Sequence, residues 1–353
     1  MKKLVILWAA LLALSLIGCA AENSETVTTR QETTATVEAT EPKFSLPDGD
    51  ARFAYDEIAD EVQSETYAVA YITGGGAPED HPADLAIWQG VKRCAAGAEK
   101  TYRYYDPQNQ ETAEIDCYAA MQTAAGNGAE LIVCGSVPEE DLLRAAKEFT
   151  NVKFISVDGT CGESLPNVAA FSFREEQAGY LAGYAATAEG FTQLGICTGE
   201  NSGYDAGFRK GAQAAAAETG AKIQLRDDID TEQPVEQWQT QFESWYTDGT
   251  QIIFCDRADC IAMVTDAAEK TDGYVIGTDT EHSAAMLFTA KKALRETAEY
   301  ACAEYFAGQW ESIGGKQTRL GVQENAVGLY AEMWCLENFT AEKYQTLLKN
   351  IAE

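Results

Sequence analysis

The amino-acid sequence predicts an α/β protein of two similar lobes, each a parallel sheet with helices on both faces. Three observations lead there. From residue 67 onward, apolar runs of strand length alternate with helix-length stretches. The alternation reaches about residue 211 and then starts again. Between the two series lies a segment, residues 167–211, unusually dense in glycine and alanine. Strand–helix alternation implies parallel strands, because a parallel pair needs a crossover connection that a helix supplies.

Each element has its own signal. Residues 67–73 are a continuous apolar run of strand length, closed by Gly74, Gly75 and Gly76, with a helix over 82–98 after a polar loop. A strand at 100–105 leads to a helix over 111–127. A strand at 131–134 ends at Gly135 and Ser136 and leads to a helix over 138–149. The strand at 152–157 ends at Asp158. The second series has strands at 222–225, 251–255 and 274–277, with helices over 233–248, 260–270 and 283–308. An extended piece at 318–322 and a helix over 340–352 finish the chain.

The glycine-rich segment joins the two series. Residues 168–173 read as a buried strand that runs straight into a helix carrying Ala178, Gly179, Ala182, Gly183, Ala185 and Ala186. A glycine inside a helix costs about 1 kcal/mol relative to alanine. Two of them four residues apart therefore imply close approach of another backbone. A strand at 194–197, a glycine loop and a helix from Tyr204 follow. In open parallel sheets, ligands sit beyond the carboxyl ends of the strands. That rule nominates the loops after Thr73, Gly135, Asp158, Thr198, Asp256 and Thr278, and so a cleft between the lobes.

Composition narrows the partners. The 353 residues carry a formal charge of -30, with 46% hydrophobic and 10% aromatic residues. Such a field repels phosphate and argues against nucleic acid as a partner. Lys2 and Lys3 precede an apolar run, residues 4–17, that ends in Gly18-Cys19. That layout is an export signal over residues 1–18. Residues 20–47 are rich in Thr, Glu, Ser and Ala and cannot bury enough surface to order themselves. The expectation is a flexible tether over 19–65. Besides Cys19 there are nine scattered cysteines without a CxxC pair, and two distant histidines, His81 and His282. No metal and no cofactor is expected, and most of the cysteines read as small core residues.

The order and spacing of several fragments carry a resemblance. They are VKFISVDG, NVAAFSFREEQ with GYLAGYAA, GFRKGA at 207–212, VIGTD at 275–279, IWQGVKR at 87–93 and GGKQTRLGVQENAVGL near the end. Together they resemble the basic membrane protein (BMP) family of substrate-binding lipoproteins of ABC transporters, whose best-understood members bind purine nucleosides. The resemblance runs from about Tyr67 to Leu329. It implies a type I periplasmic-binding-protein fold with three crossings between lobes: lobe one over 66–172 plus 282–313, lobe two over 173–281 plus 314–353. It also implies a nucleoside-like ligand and ABC permease subunits as partners, and it agrees with Leu16-Ile17-Gly18-Cys19, which resembles a bacterial lipobox in which Cys19 is lipidated.

Site residues follow by matching. Asp279 corresponds to the acidic residue that holds the ribose hydroxyls; a carboxylate accepts two bonds from a vicinal diol, and charge-assisted bonds are the stronger kind. Tyr204 corresponds to an aromatic that stacks on the base, and Lys292 (Lys291 if the match slips) to a lysine near the ribose. The first loop departs from the family pattern: Thr73 closes the strand where an Asp would follow, and Asp84 stands in for an Asn, which makes it an acceptor only. His81 or Trp88 could refill the gap, and Ser136 is a further loop position. Two other readings stay open. One is a receptor that binds a sugar or other small polar ligand for signalling. The other is an enzyme on the same scaffold, against which stand the absent GxGxxG and GxxxxGK[ST] loops and the absent nucleophile elbow.

Overall fold

The computed structural model describes residues 45–46, 55–109, 111–200, 202–229, 234–278, 283–330 and 336–352. The export signal, Cys19, Asp279 and His282 lie outside the described residues. The first series is β1 (Val69–Ile72), α1 (Pro82–Gly97), β2 (Tyr102–Tyr105), α2 (Cys117–Gly126), β3 (Leu131–Cys134), α3 (Glu139–Glu148), β4 (Lys153–Val157) and β5 (Val168–Phe173). The second is α4 (Glu175–Glu189), β6 (Gln193–Cys197), α5 (Gly203–Thr219), β7 (Gln224–Arg226), α6 (Val235–Thr247), β8 (Ile252–Cys255), α7 (Ile261–Thr271), β9 (Tyr274–Thr278) and β10 (Met286–Lys292). Then come α8 (Leu294–Phe306), the short α9 (Trp310–Ile313), β11 (Lys316–Leu320), β12 (Val327–Leu329) and α10 (Ala341–Ala352).

Two six-stranded sheets result, ordered β11-β5-β4-β3-β1-β2 and β12-β10-β9-β8-β6-β7. Every pairing in the first sheet is parallel. In the second, β12 alone runs antiparallel, against β10. Position by position the two orders correspond, and the repeat begins at β6, earlier than the restart after residue 211 that the sequence suggested. The central strands β1, β3 and β8 are buried along their whole length. Burial on both faces is why they read as unbroken apolar runs.

Three passages join the sheets, at Arg174, at Ala293 and over residues 321–326. They lie side by side: Arg174 N–H donates to Leu320 O (2.8 Å) and Ala293 N–H to Ala326 O (2.8 Å). The passages fall elsewhere than the sequence suggested. The stretch 283–308 is not one helix: its first part is strand β10, which belongs to the second sheet, although 282–313 was expected in lobe one. Strand β11 belongs to the first sheet, although the chain from 314 was expected in lobe two. The helix expected from 111 begins at Cys117, because the Asp116 carboxylate accepts the Ala119 N–H and caps it there.

Part of the expected tether is docked. Leu46 is buried, its N–H donates to Glu324 O (2.8 Å), and Asn325 Nδ2 donates to its carbonyl (3.3 Å). Tyr55 bridges α1 and α8: its hydroxyl donates to Glu299 Oε1 (2.8 Å) and accepts from Arg93 Nη1 (2.9 Å). Asp60 takes Lys92 Nζ at 2.7 Å and Trp88 Nε1 at 3.3 Å. Trp88 is fully buried beside Tyr71, and its place is structural.

The glycines of α4 meet a backbone, as their spacing implies. A Cβ on Gly179 would lie 2.3 Å from Tyr204 O, and one on Gly183 2.0 Å from Phe208 O. Reciprocally, a Cβ on Gly207 would lie 2.2 Å from Glu176 O, and one on Gly211 2.0 Å from Tyr180 O. The pairing advances by four residues on both helices, so α4 and α5 run parallel and touch through main chain. Against the other face of this sheet pack the aromatics of α6, namely Trp238, Phe242, Trp245 and Tyr246. Side chains of that size contribute about 1.5–3 kcal/mol each when fully buried.

Candidate ligand-binding site

The parallel register of α4 and α5 sets their N-termini side by side. A Cβ on Gly203 would lie 3.1 Å from Glu175 Cβ. Glu175 is the first residue of α4, where the helix dipole favours a negative charge. Lys292, the last residue of β10, reaches this point from the second sheet. Its Nζ lies 2.5 Å from Asp158 Oδ2 and 3.3 Å from Glu175 Oε1. Asp158 closes β4 of the first sheet and holds a left-handed backbone, φ 64°, a conformation that costs a non-glycine residue energy and gathers at functional sites. Lys292 therefore ties together one strand end from each sheet and the first passage between them. Its side chain is 13% exposed.

Further round the same edge, Asp256 follows β8. Its Oδ1 accepts the Gly199 N–H (2.9 Å), and its Oδ2 accepts the Ser202 hydroxyl. Ser202 in turn caps α5, its Oγ accepting the Tyr204 N–H at 3.2 Å. Burial pushes the Asp256 carboxyl up, opposed by those two hydrogen bonds and by the charges of Lys292 and Arg257.

The expected site residues divide. Lys292 is in the seam, at a strand end rather than on a helix surface. Tyr204 is beside it, with Lys292 Nζ 6.0 Å from its ring centroid. The ring is nevertheless 3% exposed and packed against Phe254 (centroids 5.7 Å apart), so it presents no open stacking face. Thr73 is wholly buried, and its hydroxyl donates to Gly76 O (2.9 Å), closing the first loop on itself. Asp84 points into lobe one: it accepts Tyr71 OH (2.5 Å) and Gly74 N–H (3.1 Å) and is 6% exposed. Burial and that carboxylate hold the Tyr71 phenol well above its usual range. Ser136 is exposed beyond β3, and Lys291 precedes Lys292 on β10. The sequence reading did not single out the side chains of Asp158, Glu175, Ser202 and Asp256. The signal for three of them was present: an Asp ends β4 and β8, and a Ser opens α5.

Two repeated, mostly parallel sheets joined by three passages, with charges from both meeting at the seam, define a periplasmic-binding-protein-like fold. Solved structures agree. A solute-binding protein of an ABC transporter system from Conexibacter woesei is 20% identical, with a TM-score of 0.63 over 80% of this chain and 95% of that one. One from Aeropyrum pernix is 18% identical, with a TM-score of 0.60 over 80% of this chain and 85% of that one. The chain belongs to the Bmp family, ABC transporter substrate-binding protein PnrA-like, whose model matches residues 68–352. Basic membrane protein B of Borreliella burgdorferi is 25% identical over 217 residues, 58% of this chain. The match spans about 63% of the length of that relative. No helix among the described residues is long and apolar enough to cross a membrane.

Proposed function

We propose that the chain is a membrane-anchored, extracytoplasmic receptor of an ABC importer that binds a nucleoside between its lobes and delivers it to the permease. It performs no chemistry on the ligand. The observation that carries the reading is Lys292, held at the seam between Asp158 of one sheet and Glu175 of the passage. Side chains that meet across two bodies can sense their closure, and a hinge motion biased by contacts made only when closed suits a carrier. Asp279, the residue after β9 in the sequence, is assigned to the ribose hydroxyls, and Lys292 to a place near the ribose. Cys19 is assigned to the lipid anchor and residues 1–18 to its export signal.

Calorimetry against nucleosides, free bases and sugars tests the ligand. Asp279→Ala is expected to weaken nucleoside binding by about 2 kcal/mol through loss of a charge-assisted bond; unchanged affinity sinks the ribose assignment. Cys19→Ala is expected to release the exported protein from the membrane fraction. The covered ring of Tyr204 favours a second reading, a sugar or other small polar ligand in place of a nucleoside. Heat from sugars and none from nucleosides would select it.

A further inference from the structure

The loop between β6 and α5 begins at the carboxyl end of β6 and leads into the helix that abuts Glu175. Its described ends are joined by the Ser202 N–H donating to Gly199 O (3.3 Å) and by a side chain from the neighbouring strand. Asp256 spans the loop, taking the Gly199 N–H at its start and the Ser202 hydroxyl near its end. The main chain of Asp256 continues the ladder, its N–H donating to Cys197 O at 3.2 Å. Ser202 passes the constraint on by accepting the Tyr204 N–H. Glu175, packed against Gly203, and Lys292, paired with Glu175, come next in the chain of contacts.

We propose that Asp256 is a positioning residue of the seam: its carboxylate fixes the β6–α5 loop and the start of α5, and through them the placement of Glu175 and Lys292 for the ligand. The proposal rests on the seam being the binding site. A carboxylate suits the task because each oxygen accepts a separate donor, one from backbone and one from a hydroxyl. Asparagine keeps an acceptor for Gly199 and gains an N–H for Ser202, whereas alanine leaves both donors without a partner.

Two measurements on the full mature chain test it, with guanosine as the probe ligand. In Asp256→Ala, the Gly199 and Tyr204 amides are expected to exchange hydrogen about tenfold faster or more, and guanosine affinity to fall about tenfold or more. In Asp256→Asn, both are expected to stay within about threefold of the parent. Ser202→Ala, which leaves the Gly199 bond intact, is expected to speed exchange at Tyr204 and not at Gly199. Parent-like exchange in Asp256→Ala, or no rescue by asparagine, overturns the proposal. If the parent binds no guanosine, the nucleoside reading fails, and the exchange measurements alone decide the clamp.

Discussion

The same helix pair occurs in both lobes and is held together in two ways. In each lobe, the helix that follows the first strand of a series packs against the helix that enters from the other sheet: α1 with α8, and α5 with α4. In lobe two the pair meets at four glycines and main chain touches main chain. In lobe one a single glycine does this: a Cβ on Gly90 would lie 2.5 Å from Arg295 O. Side chains hold the rest, with Arg93 on Glu299 at 3.2 Å, Arg295 on Gln89 at 3.4 Å, and Tyr55 between them. A groove of about 620 Å³ remains along that pair, lined by Cys94, Gly97, Tyr300 and Phe306 among others. Backbone contact leaves no rotamer to adjust, so lobe two sets Glu175 and Tyr204 rigidly. Lobe one can yield.

Substitutions along the two pairs would break or sharpen that contrast. The largest effect is expected from Gly183→Ala. Its methyl would meet Phe208 O at 2.0 Å with backbone on each side, and a loss of about 3 kcal/mol follows from overpacking. Urea unfolding reads it, and a loss under about 1 kcal/mol would mean the helices separate freely. Gly90→Ala meets the Arg295 carbonyl and, at 3.1 Å, the Ala298 Cβ, and is expected to cost about 1–2 kcal/mol; a cost equal to that of Gly183→Ala would erase the distinction. Tyr55→Phe removes the bonds to Glu299 and Arg93 while keeping the ring between two guanidinium groups. About 1 kcal/mol is expected, the net worth of a hydrogen-bonded hydroxyl. The smallest effect has the opposite sign. Nothing lies within 4 Å of a Cβ on Gly97, so Gly97→Ala is expected to raise stability by up to about 1 kcal/mol, visible as a higher urea midpoint.

Much of the scaffold was legible because its signals are local. The strand at 168–173 coincides with β5, and the glycine spacing on α4 announced a backbone neighbour before any partner was known. What stayed hidden is non-local. The run that forms β10 adjoins an alanine- and glutamate-rich helix, and periodicity cannot tell a short apolar strand from the first turns of such a helix. Only its pairing with β9 and β12 decides, and that error displaced the second passage; the third is displaced because β11 pairs with β5. For the site, the carboxyl-end rule nominated the loops after Asp158 and Asp256 but not the side-chain contacts that gather there. Lys292 and Asp158 are 134 residues apart in sequence, and nothing local couples them. Thr73 and Asp84 failed for a simpler reason: with three glycines after β1, the loop folds back and supplies its own hydrogen-bond partners.

The exchange of helices has a consequence for how the molecule can be divided. Strand β5 of one sheet feeds α4, which roofs the other, and β10 returns the exchange through α8. Neither half is thus a continuous length of polypeptide, and cutting at Arg174 would leave α8 and β11 of the first lobe on the fragment that carries the second. Fragments made at the apparent waist would be expected to assemble only when present together.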